Sequence, residues 1–165
     1  MYYRAAEEKD LEDLNVLALA SYGQLKTYLT PGNWKKLRSM LTAVDHFPLL
    51  IRNSFGFVCE DSVRLLGMAF LVPSGNPTEI YSKETSYIRM VGVDPTAVGN
   101  GIAKALTRLC MEKAKSTGEH TISLHSAEIM FAARHVYEKL GFKKVRLVDS
   151  YYGLQHWLYS YEISK

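Results

Sequence analysis

The stretch of sequence that decides the fold runs from Ile88 to Leu106 and reads IRMVGVDPTAVGNGIAKAL. Its first six residues are mainly apolar, as in a buried strand, and Asp94 with the proline after it ends that strand. Gly99 and Gly101 follow, and from Ile102 onward the apolar residues recur at helical spacing. The stretch therefore predicts a strand, a glycine-containing turn and an amphipathic helix in direct succession.

The start of the predicted helix is a candidate anion site. The first N–H groups of a helix have no partner within it, and the helix dipole adds partial positive charge there. Gly99 and Gly101 allow an anion to approach these groups, which predicts a pyrophosphate cradle. A P-loop would need Lys-Ser or Lys-Thr where Ile102 and Ala103 stand, and a dinucleotide fold would need three spaced glycines. On these residues alone, a strand–loop–helix without a ligand stays open.

The remaining segments predict a mixed α/β sheet covered by helices. Asp10 is the expected N-cap of the first helix, and residues 22–31 are an expected loop. Predicted strands cover 3–5, 55–60, 65–72, 87–93, 120–125, 142–148 and 155–163, and predicted helices cover 11–18, 33–41, 102–117 and 127–140.

Composition indicates one globular domain over residues 1–165, since 47% of the residues are hydrophobic and 22% are charged. The net charge is +3 with scattered basic residues, so we expect no nucleic-acid partner. No apolar run approaches the roughly 20 residues of a spanning helix, so we expect no membrane partner. Cys59 and Cys110 lie in apolar segments and are expected to be reduced, which favours the cytoplasm.

Two motifs resemble those of the GNAT superfamily of N-acetyltransferases. The acetyl-CoA motif of that family is R/Q-x-x-G-x-G/A, and here Val98, Gly101 and Ala103 occupy its three defined positions. Residues 124–142, LHSAEIMFAARHVYEKLGF, are similar to the later strand and helix of the family, which often end in Tyr-x-x-x-Gly-Phe. Val98 replaces the usual Arg or Gln, and Met130 stands where many members have Asn.

The resemblance implies a mostly antiparallel central sheet, flanked by helices, with a splayed central strand pair. The strand ending at Val93 would separate from the strand at 120–125, so that the pantetheine arm of acetyl-CoA pairs with the backbone near Val91 and Val93. Gly92 would form the bulge that starts the splay, although a packing role for this glycine stays open. The implied cofactor-binding residues are Val91, Val93, Val98, Gly99, Asn100, Gly101, Ile102, Ala103, Lys104, Met130 and Ala133.

The implied chemistry is direct acetyl transfer from acetyl-CoA to a primary amine of a small molecule or peptide, in a ternary complex. The N–H of Val91 would stabilise the oxyanion, and Tyr137 would donate a proton to the departing thiolate. Glu84 is the candidate general base, with Glu79 second. Tyr137 as a packing residue and both glutamates as solvated loop residues are the alternatives. No metal is expected, because the five histidines lack ligand spacing.

A non-catalytic acyl-CoA-binding sensor of the same fold is the second hypothesis, since Val98 and Met130 replace polar residues of the family. A structural partner protein is a third. The acceptor amine stays unidentified, and a homodimer is left open. His125 is a candidate for sensing substrate near the site, and a plain polar strand terminus is the alternative for this residue. The aromatic residues that could form an acceptor pocket are Tyr22, Tyr28, Trp34, Tyr151, Tyr152 and Trp157.

Overall fold

The centre of the molecule is a seven-stranded sheet. The computed structural model describes residues 1–164, apart from the side chain of Ser150. The strands are β1 (Tyr2–Ala5), β2 (Phe55–Glu60), β3 (Leu65–Val72), β4 (Ser86–Val93), β5 (Thr121–Ala127), β6 (Lys143–Tyr151) and β7 (Leu154–Glu162). They lie in the order β1-β2-β3-β4-β5-β7-β6. All neighbours are antiparallel except β4 and β5, which are parallel, so the expected mixed, mostly antiparallel sheet is confirmed.

Helices cover both faces of this sheet. They are α1 (Leu11–Tyr22), α2 (Pro31–Leu41), α3 (His46–Asn53), α4 (Ile102–Ser116) and α5 (Phe131–Lys139), with 3-10 turns at Glu8–Asp10, Gly23–Tyr28 and Pro95–Ala97. The first three helices bury one apolar cluster against the sheet, and α4 and α5 bury a second cluster on the opposite face. Every residue of β3 is buried, because β3 lies between both helical layers. Among the described residues, no helix combines the length and apolar character needed to cross a membrane.

The structure extends α1 to Tyr22 and β6 to Tyr151, beyond the predicted ends at 18 and 148, and it differs from the sequence-based prediction at three points of more consequence. Helix α3 was not predicted, although its Phe47 and Leu50 are fully part of the core. Helix α5 begins at Phe131 rather than at 127, because β5 continues to Ala127 and pairs there with His156 of β7. The expected loop at 22–31 contains a 3-10 turn. These features depend on long-range strand pairing and packing, which cannot be predicted from local periodicity.

Asp10 has a different role from the predicted one. It precedes α1, but its side chain makes no capping hydrogen bond to that helix. The carboxylate instead accepts hydrogen bonds from both terminal nitrogens of Arg4, at 2.7 and 2.8 Å, and from the N–H of Glu7 at 2.8 Å. Arg4 also binds Glu60 of β2. Because the Arg4 guanidinium stabilises its charged form, the pKa of Asp10 is lowered.

Candidate active site

The central strands β4 and β5 separate soon after they start. They pair only at Ser86 with Ile122 and at Tyr87 with Ser123. Beyond Tyr87, β4 remains paired with β3 up to Val93, and β5 remains paired with β7. The two central strands therefore have the splay that the sequence resemblance implied.

The bulge in β4 lies at Met90, so its prediction at Gly92 was wrong. The register with β3 shifts between Met68 and Phe70, where the partners are Gly92 and Arg89, so β4 has one extra residue. Met90 has φ of 55°, a left-handed value that a non-glycine residue rarely adopts. At Gly92, a Cβ would lie 2.9 Å from Cε of Met68, which agrees with the packing alternative for this glycine.

The glycine turn before α4 is open on its outer side. Gly99 and Gly101 have φ of 91° and 75°, and a Cβ added at either position would meet nothing within 4 Å. The first α4 bond of this turn runs from the N–H of Ala105 to the carbonyl of Gly101 at 3.0 Å, so the N–H groups before it point out of the helix end. Asn100 donates to the carbonyl of Ala97 at 2.9 Å, which keeps its amide off the helix end.

The turn is held in place by an ion pair at the end of β4. The carboxylate of Asp94 accepts from the N–H of Thr96 at 2.8 Å, and its other oxygen lies 2.7 Å from Arg64. Arg64 also donates to the hydroxyl of Thr96 at 2.7 Å. The hydrogen bonds from Thr96 lower the pKa of Asp94, with a further contribution from Arg64. Ile102 is buried and Lys104 is exposed in the first turn of α4, whereas Val98 is 57% exposed.

A cavity of about 350 Å³ lies where β4 and β5 separate, on the side of α1 and α2. Tyr137 and Met130 from the α5 segment line it together with Val91 of β4. Ala133 packs against the apolar cluster on the side of α4 and α5 and does not line the cavity, so the structure brings two of the three positions of the sequence motif to it. The volume lies within the range of small-molecule sites.

Tyr137 is buried, with 5% exposure, and its ring packs against Phe142 and Tyr159 at centroid distances of 6.2 and 6.3 Å. Its hydroxyl makes no hydrogen bond to any residue of the described chain, which leaves it available to a ligand in the cavity. Burial, followed by the nearby Tyr22, raises the pKa of Tyr137, so the phenol stays protonated at neutral pH.

The end of α1 contacts the backbone of β4 at the two residues that the resemblance assigns to pantetheine. The hydroxyl of Ser21 accepts from the N–H of Val93 at 3.1 Å, and the hydroxyl of Tyr22 donates to the carbonyl of Val91 at 3.4 Å. Burial raises the pKa of Tyr22 to about 12. The N–H of Val93 and the carbonyl of Val91 are therefore bonded to side-chain hydroxyls, and the amide groups of a ligand can replace these hydroxyls.

Neither glutamate suggested as general base lines the cavity. Glu84 lies in the loop before β4 with 70% of its side chain exposed, and its carboxylate is 4.0 Å from the ammonium group of Lys83. Glu79 is also exposed. Burial and then the charge of Glu79 raise the pKa of Tyr151, a residue that does line the cavity. The structure thus brings Tyr137 to the cavity and leaves Glu84 outside it.

Two histidines line the cavity in contact with each other. The rings of His125 and His156 lie 5.0 Å apart, and Tyr151 stacks on His125 at 5.1 Å. Burial, His156 and Arg89 together lower the pKa of His125 to about 4, and burial lowers the pKa of His156. Both imidazoles are therefore neutral at pH 7. Nδ1 of His156 lies 2.9 Å from the carbonyl of Leu154, so this nitrogen carries the proton and Nε2 keeps its lone pair.

The polar cavity residues that the sequence analysis missed include Arg89, Tyr81, Ser126 and His156. Arg89 is the one charged side chain in the apolar strand β4, and this contrast is a signal that the sequence did contain. Tyr81 arrives from the loop between β3 and β4, and Ser126 follows His125 in β5. No sequence pattern places these two at the site, because the loop path and the splay bring them there.

The aromatic residues suggested for an acceptor pocket divide into two groups. Tyr22, Tyr151 and Tyr152 line the cavity. Tyr28 is 64% exposed. Trp34 packs in the apolar cluster that the first three helices bury against the sheet, called here the α1–α3 cluster. The ring of Trp157 lies 4.4 Å from the ammonium group of Lys144. Within residues 1–164, no group of three or more His, Cys, Asp or Glu side chains is arranged to hold a metal ion.

This fold is found in known acetyltransferases. The PaiA N-acetyltransferase of Thermoplasma acidophilum, solved with coenzyme A, matches with a TM-score of 0.79 and 14% identity over 99% of this chain and 100% of that one. The Salmonella typhimurium protein yncA, solved with its cofactor acetyl-CoA, matches with a TM-score of 0.75 and 17% identity over 100% of this chain and 95% of that one. At these identities the likeness establishes the fold, an α/β fold of acetyltransferases.

The sequence comparison establishes the family. The model of the acetyltransferase (GNAT) family matches residues 21–142, and the chain belongs to this family. Mycothiol acetyltransferase of Gordonia bronchialis is 30% identical over 114 residues, which are 59% of this chain and 37% of that protein. This chain therefore spans well under half the length of the curated relatives that it matches.

Proposed function

We propose that this protein is an acetyl-CoA-dependent N-acetyltransferase that transfers an acetyl group to a primary amine in a ternary complex. The observation that carries the proposal is the geometry of the splayed strands. An open glycine turn at a helix N-terminus stands at one end of the splay, and a cavity containing a buried, unbonded phenol lies beside it. Family membership supports the same reaction.

The residues of the glycine turn fit a pyrophosphate. Because Gly99 and Gly101 have no side chains, the space beside the turn is open to a phosphate group. The dipole of the 15-residue helix α4 favours negative charge there. Asn100, Ile102 and Ala103 would contribute backbone N–H groups, while Lys104 adds a positive charge. Val98 contributes backbone only, so the proposed site relies on main-chain donors.

The edge of β4 would bind the pantetheine arm and the thioester. The hydrogen bonds from Val93 to Ser21 and from Tyr22 to Val91 would break, and the same backbone groups would bind the amides of the arm. The N–H of Val91 would then donate to the carbonyl oxygen as it becomes an oxyanion. Met130 and Ala133 would pack along the other side of the arm.

Tyr137 is proposed as the acid for the leaving group. When the amine attacks the thioester carbon and the C–S bond breaks, the phenol donates a hydrogen bond and then a proton to the thiolate. The attacking nitrogen, which is positively charged after the attack, loses one proton, and this proton regenerates the phenol of Tyr137. Because the raised pKa of Tyr137 keeps the phenol protonated, this donor is present across the whole neutral pH range.

His156 is proposed as the proton acceptor in place of Glu84. A lysine-like amine has a pKa of about 10.4, so freeing it at pH 7 costs roughly 4–5 kcal/mol without a base. Nε2 of His156 has its lone pair available and shares the cavity with Tyr137. The lowered pKa of His156 means that the base is active at pH 7 and is lost as the pH falls. We expect kcat/KM to decline as the pH falls below the ordinary range of an imidazole, because His156 then gains a proton, and His156→Gln to abolish that acidic limb.

The proposed function is tested by measuring acetyl-CoA binding and acetyl transfer separately. Isothermal titration calorimetry reports binding of acetyl-CoA, and thiol release reports turnover with amino acids, peptides, polyamines and aminoglycosides. We expect binding together with amine-dependent thiol release, and mass spectrometry should show the acetylated amine. Binding without release on any amine would instead identify the non-catalytic acyl-CoA sensor, and absence of binding would refute both functions.

A further inference from the structure

The cavity contains one permanent charge, the guanidinium of Arg89. Within the described residues, Arg89 makes no hydrogen bond and no ion pair, and no Asp or Glu lines the cavity. Its charge reaches the neighbouring groups, because it contributes to the lowered pKa of His125. The Arg89 side chain is exposed to solvent where it borders the cavity, so its guanidinium is accessible and has no partner in the described chain. An anion from outside the chain would supply that missing partner.

The bulge in β4 explains why this arginine lies at the cavity. Arg89 is paired with Phe70, a residue of the α1–α3 cluster, and the next residue, Met90, belongs to the same cluster. Two successive side chains therefore lie on one face of β4, whereas regular strand alternation would send one of them to the opposite face. The left-handed backbone at Met90 is the local conformation that produces this arrangement.

Three further polar atoms in the cavity lack partners. The hydroxyl of Tyr81, Nδ1 of His125 and the hydroxyl of Ser126 are buried, and none has a hydrogen-bond partner of good geometry in the described chain. All three residues line the same cavity as Arg89. Unsatisfied buried polar atoms are costly and rare, so their concentration at one place indicates a polar ligand.

The charge of the cavity selects among amines. Polyamines and aminoglycosides carry several positive charges, and a site that binds them needs carboxylates, which this lining lacks. An amine that also carries a carboxylate would match Arg89, since a guanidinium binds a carboxylate through two parallel hydrogen bonds. Apolar side chains of α2 and the preceding turn, including Leu25, Leu37 and Met40, supply a surface for an apolar substituent.

The spacing along β4 is compatible with an acceptor of amino-acid size. Arg89 and Val91 are two residues apart, which is at most about 6–7 Å, because the bulge at Met90 shortens the strand between them. We propose that Arg89 binds the carboxylate of the acceptor, and that the acceptor class is an amino acid with an apolar side chain, its amine directed toward Val91. This inference rests on the proposed function, because Val91 marks the thioester only if acetyl transfer occurs here.

A binding experiment tests the carboxylate site without relying on turnover. The probes are the N-acetyl derivatives of leucine, methionine, phenylalanine and tyrosine, each with its carboxamide, titrated into the protein saturated with coenzyme A. We expect at least one acid to bind about 10- to 100-fold more tightly than its amide, the range for a charge-assisted hydrogen-bond pair. Arg89→Met should remove the difference, and Arg89→Lys should retain only part of it. No preference for any acid over its amide would overturn the proposal.

Arg108→Met is the matched control, since Arg108 is an exposed arginine of α4 on the opposite face of the sheet. It should bind all probes like the wild type. The thermal midpoint of Arg89→Met should also equal that of the wild type, because Arg89 has no partner to lose among the described residues. A lower midpoint for Arg89→Met together with loss of coenzyme A binding would show a structural role and refute the assignment.

An activity experiment tests the proposed acceptor class independently of whether the protein transfers acetyl groups at all. Thiol release is compared for apolar amino acids, their carboxamides, the corresponding amines without a carboxylate, dipeptides, spermidine and kanamycin. We expect free amino acids to have the highest kcat/KM, and Arg89→Met to raise KM far more than it lowers kcat. Faster acetylation of spermidine, kanamycin or dipeptides would overturn the acceptor class while acetyl transfer stands. Tight carboxylate binding with no acetylation of any amine would refute the transferase function and leave the Arg89 site intact.

Discussion

Replacing Tyr137 by Phe removes one hydroxyl and keeps the ring that packs against Phe142 and Tyr159. In the described chain this hydroxyl has no hydrogen-bond partner, so its removal leaves no buried group unsatisfied. We expect the free energy of unfolding to change by no more than about 0.5 kcal/mol. For a domain of this size, that corresponds to a shift in the thermal midpoint of about 2 °C or less.

The expected effect on the rate is much larger. If the Tyr137 phenol donates to the departing thiolate, the substitution loses a hydrogen bond to a charged group in the transition state. Such a bond contributes about 1.5–3 kcal/mol, which corresponds to a fall in kcat of roughly 10- to 150-fold. Thiol release from acetyl-CoA, measured at a saturating amine concentration, reports this change directly.

Tyr159→Phe is the matched control, because it removes the same atom from a neighbouring ring. The hydroxyl of Tyr159 accepts from Nε of Arg134 at 3.0 Å and donates to Glu138 at 2.9 Å. Its loss leaves two charged groups of α5 without that partner, so we expect a destabilisation of about 1–3 kcal/mol. The thermal midpoint should fall by about 2–10 °C, with a smaller loss of kcat than in Tyr137→Phe.

Two results would refute the reasoning about Tyr137. An unchanged kcat in Tyr137→Phe would show that the phenol is a packing residue and does not act on the leaving group. A large fall in the thermal midpoint of the same variant would show that its hydroxyl has a structural partner. Acetyl-CoA affinity should stay near that of the wild type in both tyrosine variants, which calorimetry verifies.

Three other substitutions test the proposed acetyl-CoA site and the stability of the fold. Gly101→Val introduces a branched side chain at φ of 75° in open space, so we expect the strain alone, about 1–2 kcal/mol, to weaken acetyl-CoA binding in calorimetry about 5- to 30-fold. Gly67→Ala would place a Cβ 2.4 Å from Cγ2 of Ile102, and we expect overpacking to destabilise the fold by about 1–3 kcal/mol in chemical denaturation. Because Arg4 lowers the pKa of Asp10, that carboxylate contributes stability above its unfolded value of 3.8 and loses it as the pH falls through the lower folded value. The thermal midpoint should therefore drop below about pH 4, and less steeply in Asp10→Asn.

Local sequence patterns predicted most of the elements of this fold. The apolar run of β4, the Asp-Pro stop and the two glycines before α4 are signals within a few residues of one another, and the structure has the elements they predict. Helix α3 was missed because an eight-residue helix with a proline at its third position has little periodicity of its own. Its place depends on packing against the sheet.

The candidate site was predicted in part. Tyr137 was found because its motif ties it to a helix face, and the glycine turn was found because a helix N-terminus attracts anions. Glu84 was chosen as base from its position before β4, but a loop residue has no fixed direction in sequence, and its carboxylate lies in solvent. His156 and Ser126 could not be chosen, because they reach the cavity only through the pairing of β7 with β5 and the splay of β5 from β4.

The sequence by itself determined the order of the seven strands and of four of the five helices, and the positions of the glycines, since these follow from periodicity and backbone preference over short distances. Only the tertiary structure decided where β4 and β5 separate, and that the bulge at Met90 brings Arg89 to the edge of a cavity with no carboxylate among its described lining residues. A one-residue shift in strand register reverses the face of a side chain, and register is set by contacts between residues far apart in the chain.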